Sequence, residues 1–476
     1  MTQNMNAKKF FGDTLKLGTG TAFGQVVTVA SVPILARIYS PEDFGSLGIF
    51  NAFVLTIAVI SGLRYEQAIL LPRKHRDGYD LMILNIAITL VTSLIAGVFL
   101  WIYRFQFSQW LGDPVLPSIM WLIGIGILLF GLYNGLNYWN TRMERYSVLG
   151  SAKVANNTFA AIFQFITGVL YAAPTTLIGG FMFGKLVENG ILLRTIKKRD
   201  GLHSFSTKTR MLALAKRYEK FPKFNTWSAL VNTLSWQAPA FLLGGFFNLQ
   251  VVGFYTLGER VVRMPMTIIG RAIAQVFFQK GTHALREQVL DQVYRQTLRM
   301  LSRIGLVPSI VLALAGEEIF TIAMGADYAK AGIYVQILSI WAFIWFVSSP
   351  LSTIIAIKER QETGLYINVL ILITRVVSLI IGGLLDNPYV ALILFSVTGI
   401  FTYGWLLVWT GILSGVRFKD TLMELFAVDK VWVVSILAII GGAKYFNLAD
   451  VWIVGICTIL TGLYYLMIGK KVVKML

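Results

Sequence analysis

The 476 residues are 56% hydrophobic and only 14% charged, with a formal net charge of +18. Soluble domains run to about 25% charged residues, so this balance excludes an ordinary soluble protein. The excess Lys and Arg lies in short loops between apolar runs rather than in one patch, which argues against nucleic acid as its partner.

Fourteen spans are expected in chain order: 12–36, 44–71, 80–103, 115–138, 149–171, 174–194, 225–246, 250–277, 300–323, 331–357, 363–385, 388–413, 430–447 and 450–469. Each is long and apolar enough for a membrane helix, and the chain reads as an all-α polytopic membrane protein. The start is polar and basic (Lys8, Lys9) and runs into a full-length span, so an uncleaved first helix is expected. Loop charge alternates. Lys and Arg gather at 73–76, 142–145, 195–224, 280–299, 358–360, 417–419 and 470–474, and are sparse in the loops between. Positive-inside bias then puts both termini in the cytoplasm. The opposite loops are too short for a catalytic domain.

The chain divides into a first bundle (1–194), a basic linker (195–224), a second bundle (225–413) and an additional helix pair (414–476). The linker's TRMLALAKRYEKF segment is amphipathic and is expected along the cytoplasmic membrane surface, on anionic lipid. Val32–Phe50 and Ala238–Leu257 resemble each other: each has a proline in the outer part of a helix, a short turn, and a glycine opening the next span. Repeated halves place a transporter's site near the midplane, at their interface.

The stretch Gly253–Gln279 holds the most conspicuous charges. At about 100° per residue, Arg260, Arg263, Thr267, Arg271 and Gln275 share a face roughly 120° wide. An arginine at a helix centre costs about 2.5–3.5 kcal/mol, so the stripe should face protein or a wet cavity. Guanidinium offers forked, permanently charged donors that suit a pyrophosphate. The other reading has Glu259 neutralise Arg263 at i,i+4. Arg375, with Asn368 and Ser378 on its face, is either a further cavity contact or an interhelix brace. Arg64 and Glu66 lie near the end of the second span and need not pair. Glu66 is a candidate for proton coupling or for a partner across the bundle. Lys185 and Glu188 read as a local snorkelling pair. Gln25, Thr28, Asn51, Asn156, Asn157, Gln164, Asn232, Ser235 and Gln237 suit sugar hydroxyls or interhelix bonds equally. Tyr39, Trp110, Trp139, Trp227 and Tyr255 are expected in interfacial belts. Pro33, Pro239, Pro265, Pro308 and Pro350 are candidate kinks. The lone Cys457 forms no intrachain disulfide, and His75, His203 and His283 fall in expected loops.

RIYSPEDFGSLGIFNAF (37–53), GLRYEQAILLP (62–72) and the run from Gln237 to Gln279 resemble the polysaccharide-transporter branch of the multidrug/oligosaccharidyl-lipid/polysaccharide exporter superfamily. That branch includes Wzx-type O-antigen flippases, which serve lipopolysaccharide synthesis, and teichoic-acid flippases. The resemblance implies two six-helix bundles forming an inverted V around a central cavity. It implies translocation of polyprenyl-pyrophosphate-linked oligosaccharide from the cytoplasmic to the outer leaflet of the bacterial inner membrane. It implies no cofactor, a H+ or Na+ gradient as candidate driving force, and glycosyltransferases and a polymerase as candidate partners. Many such flippases have twelve spans, so the pair at 430–469 is extra. The alternatives are a multidrug exporter of the same superfamily and a membrane polymerase or glycosyltransferase. Cationic drugs would favour carboxylates over arginines. An enzyme would need acid/base or metal groups, and the chain has no DxD, HExxH or GxxxxGK[ST] pattern.

Overall fold

The computed structural model describes residues 23–200, 207–427 and 430–473; these hold helices and no strand. Residues 1–22, and with them the start of the expected first span, lie outside the described residues, as does His203. The chain divides into two compact units, residues 1–252 and 253–476. Ten helices are long and apolar enough to cross a membrane, or eleven if one bent pair is a single span. Each of the fourteen expected segments overlaps a helix. Two of those helices, Tyr146–Leu170 and Thr226–Phe246, are too polar to pass, carrying Asn156, Asn157 and Gln164 in the one and Asn232, Ser235 and Gln237 in the other.

The first unit runs through α1 (Phe23–Ala36), α2 (Pro41–Ser61), α3 (Tyr65–Ala68), α4 (His75–Ile102), α5 (Arg104–Leu111), α6 (Leu116–Arg142), α7 (Tyr146–Leu170), α8 (Pro174–Asp200), α9 (Lys208–Arg217) and α10 (Thr226–Phe246). The SPED turn explains the start of α2. Ser40 accepts from the Asp43 backbone N–H, Asp43 accepts from the Ser40 N–H, and Pro41 takes the first helical position, where no N–H is needed. Gly45 follows because a Cβ there would lie 2.0 Å from the Leu249 carbonyl oxygen. α10, expected with the second bundle, groups instead with the first unit. Its Phe241 ring packs edge-on to Phe53 at 4.9 Å and stacks on Trp110 at 6.5 Å.

The second expected span does not run unbroken to residue 71. Its helix ends at Ser61, and Leu63 and Arg64 adopt left-handed conformations (φ 50° and 60°). Such residues each carry a backbone penalty of about 1–2 kcal/mol, so the surroundings must hold them. Asn85 donates to the Gly62 carbonyl at 3.2 Å. Arg142 donates to the carbonyls of Ile69 (2.9 Å) and Pro72 (2.5 Å).

The described parts of the basic linker are mostly helical. α8 continues to Asp200, which binds Arg145 in a salt bridge and accepts from Trp139 Nε1 at 2.9 Å. α9 then lays Leu214 into the core formed by Tyr65, Trp139 and Ile196, while Leu212 stays exposed. Arg210 ties it down through Asp77 (2.5 Å) and Asp80 (2.7 Å). The bonded Asp77 carboxylate pushes the Arg210 guanidinium above its ordinary value.

The second unit holds α11 (Leu249–Pro265, from Gly253 onward), α12 (Arg271–Arg286), α13 (Leu290–Met324), α14 (Ala329–Leu351), α15 (Ile354–Ile357), α16 (Gln361–Leu384), α17 (Pro388–Leu413), α18 (Phe418–Leu425), α19 (Lys430–Tyr445) and α20 (Asp450–Val473). α13 bends at Ala315 (φ −124°, ψ 20°), not at Pro308. The bend coincides with a tight backbone crossing. A Cβ on Gly316 would lie 2.7 Å from the Gly332 carbonyl of α14, and one on Gly332 would lie 2.4 Å from the Gly316 carbonyl. The additional pair is anchored to α13: Tyr464 and Tyr465 donate to the carbonyls of Arg303 and Ile304, both at 2.7 Å, and Lys444 pairs with Glu318 at 2.7 Å.

Of the five aromatics expected at the interfaces, Tyr39, Trp139 and Tyr255 are buried, while Trp110 and Trp227 are exposed. The Tyr39 hydroxyl donates to the Gln164 carbonyl at 2.7 Å, a partner too distant in sequence to foresee. His75 opens α4 and His283 lies inside α12 rather than in a loop.

Candidate functional site

α11 buries one aromatic face. Phe254 meets Tyr334 of α14 at 6.0 Å and Tyr255 meets Phe395 of α17 at 6.4 Å, both edge-on. Arg260 lies about 120–140° around the helix from that pair, which puts it on the opposite face. It is exposed. Arg263 sits between the two faces. It bonds Glu259 at 2.9 Å, and its guanidinium lies 5.9 Å from the Trp345 ring centroid. The i,i+4 neutralisation weighed from sequence is therefore present at Arg263.

Pro265 has no N–H for the helical ladder, and the next five residues, Met266–Gly270, form a π-turn. A π-turn inserts about one residue into the helix, so each later side chain lags by roughly 100°. The regular stripe read from sequence is broken there. Arg271 comes into line with Arg263 to within about 20°. Arg271 is exposed. Among the described residues, neither Arg260 nor Arg271 has a hydrogen-bond or ion-pair partner. An accessible, uncompensated pair of guanidiniums on a membrane-span helix can take an anion without first breaking a salt bridge.

The remaining expected site residues are placed differently. Arg375 is 2% exposed. Its guanidinium lies 5.4–5.9 Å from the rings of Trp341, Phe395 and Tyr403, and it donates to the Tyr403 hydroxyl at 3.2 Å. It braces α16 to α14 and α17, the alternative reading of that position, and offers no open face to a substrate. Ser378 bonds Thr398 at 3.0 Å and extends the same brace. Arg64 and Glu66, which helical spacing did not require to pair, do so at 3.2 Å across the left-handed break at 63–64. Asn85 adds a bond to Glu66 at 3.1 Å. Asn232 is exposed, and Gln25 and Asn368 are half-buried.

The buried charge that sequence reasoning set aside is Lys185 with Glu188. They do not snorkel: they are 3% and 1% exposed. They pair at 2.6 Å, Asn156 of α7 donates to the same carboxylate at 2.5 Å, and the ammonium lies over the rings of Tyr133 (4.0 Å) and Phe130 (4.4 Å). The i,i+3 spacing was visible in sequence, but Asn156 and the α6 aromatics come from other helices.

A family model described as "Polysaccharide biosynthesis protein" matches residues 34–333. The chain is similar to the "Succinoglycan biosynthesis transport protein ExoT" of Rhizobium meliloti (strain 1021), 25% identical over 72% of this chain and 66% of that protein, just under two thirds of its length. It is similar to the "Teichuronic acid biosynthesis protein TuaB" of Bacillus subtilis (strain 168), 18% identical over 76% of this chain and 75% of that one. Its fold is similar to that of the lipid II flippase MurJ in an inward closed conformation, with a TM-score of 0.76 at 13% identity over 96% of this chain and 98% of that one. It is also similar to an inward-facing multidrug resistance MATE family transporter of the MOP superfamily, with a TM-score of 0.66 at 14% identity over 82% and 96%.

Proposed function

Since the chain belongs to the polysaccharide biosynthesis protein family and is a multi-pass membrane protein of transporter fold, we propose that it is a flippase for polyprenyl-pyrophosphate-linked oligosaccharide. It would move the lipid from the cytoplasmic to the outer leaflet of the bacterial inner membrane by alternating access, with the glycan made by glycosyltransferases and consumed by a polymerase. The reading is carried by Arg260 and Arg271, accessible and without a carboxylate partner on a membrane-span helix. A pyrophosphate supplies the missing anion and accepts forked donors. Cationic drug export is the weaker reading: Glu259 is engaged by Arg263, Glu66 by Arg64, and Glu188 by Lys185.

Reconstituted proteoliposomes test it. Arg260→Ala and Arg271→Ala should each slow translocation of the lipid-linked oligosaccharide at least tenfold, about 1.4 kcal/mol on the barrier, with insertion unchanged. Arg417→Ala, at an exposed position remote in sequence, should leave the rate alone. Wild-type rates for both arginine variants would remove pyrophosphate recognition from this helix.

A further inference from the structure

A cavity of about 920 Å³ opens in the second unit where α13, α18, the start of α19 and the end of α20 meet. Among the described residues its charged lining is Arg303, Lys419 and Lys430, all cations. Among the described residues none of the three forms a salt bridge with a carboxylate. The reason lies in α18. Its Asp420 and Glu424 turn towards α13, where Arg295 holds the first at 2.8 Å and Arg299 holds the second through two bonds of 2.7 Å. The helix thus hides its acids and leaves Lys419 exposed. Phe418, Phe426 and Met467 add apolar wall, and both phenylalanines are more than half exposed. The two tyrosine bonds from α20 to α13 fix the far side.

Unpaired cations beside an apolar wall, in a membrane protein, form the chemistry that receives an anionic amphiphile. The lining's hydroxyl, on Tyr464, is already bonded to the Arg303 carbonyl. A glycan headgroup would therefore find few acceptors for its many hydroxyls, whereas a phosphate is met by the N–H donors of the three cations. We propose that this cavity binds one anionic glycerophospholipid of the surrounding bilayer. Arg303, Lys419 and Lys430 hold the phosphate, and the proximal acyl chain lies along Phe418, Phe426 and Met467. The site is separate from Arg260 and Arg271 and does not depend on what the protein transports.

Native mass spectrometry of the purified full chain, equilibrated with equal phosphatidylglycerol and phosphatidylcholine, tests it. One phosphatidylglycerol should be retained with at least tenfold preference. The preference should vanish in Arg303→Gln/Lys419→Gln/Lys430→Gln and persist in Arg417→Gln, whose side chain lies outside the wall. Should the triple variant fail to purify, Lys419→Glu alone should lower the preference at least threefold. Equal retention of both lipids by the wild type would overturn the proposal, as would an undiminished preference in the triple variant or in Lys419→Glu. Displacement of phosphatidylglycerol by an equal concentration of farnesyl pyrophosphate would assign these cations to a polyprenyl lipid and overturn the phospholipid assignment.

Discussion

Three arginines within twelve residues of one helix meet different fates, and the difference is local. Arg263 has Glu259 one turn back and Trp345 across the packing; Arg260 and Arg271 have neither. The residue types and the Glu259 spacing were legible in the sequence. Arg375 was not, because the rings around it come from α14 and α17. Lys185 and Glu188 show the same limit: an apolar helix with an i,i+3 pair gives no sign of whether the pair points to lipid headgroups or to Tyr133. Here the pair is buried, so breaking it leaves a charge without compensation. Glu188→Ala should destabilise the protein by about 3–5 kcal/mol, read as a lowered unfolding temperature in detergent. Lys185→Met with Glu188→Leu should recover at least half of that loss. If the double variant is as unstable as Glu188→Ala, electrostatic compensation is not what this pair provides.

At the scale of the element, breaks in regular helix carry the organisation. The π-turn after Pro265 and the left-handed step at 63–64 both fall in segments that resemble a known family in sequence, and both redirect charged side chains. A uniform 100° per residue cannot represent either, which is why nothing in the sequence required Arg64 and Glu66 to pair and the arginine stripe was expected straight. Pro265 itself was legible as a kink; its expression as a π-turn depends on how the following residues close their hydrogen bonds. Pro265→Ala restores an N–H to the ladder and should favour continuous α-helix. The expected outcome is a raised unfolding temperature with at least fivefold slower translocation, because Arg271 rotates by about 100°. A variant that transports at the wild-type rate would make the π-turn incidental to the site.

For the whole molecule, the polytopic helical fold was legible in the recurrence of long apolar runs, and its likeness to MurJ over 96% of the chain bears that out. The division into units was less so. Residues 225–252 group with the first unit through packing such as Phe241 on Phe53 and Gly45 against Leu249, which no charge or hydropathy pattern encodes. Nor did hydropathy separate α7 and α10, whose amides lower their apolarity, from the ten clear spans. Recognition of an anionic headgroup by the arginines on α11 and α12 is read from initial translocation rates for one oligosaccharide carried either on polyprenyl pyrophosphate or on a neutral polyprenyl ether. Wild-type protein should move the pyrophosphate form at least tenfold faster, and the ratio should fall to about one in Arg260→Ala/Arg271→Ala. Equal rates for the two lipids, or a ratio unchanged in the double variant, would contradict the account.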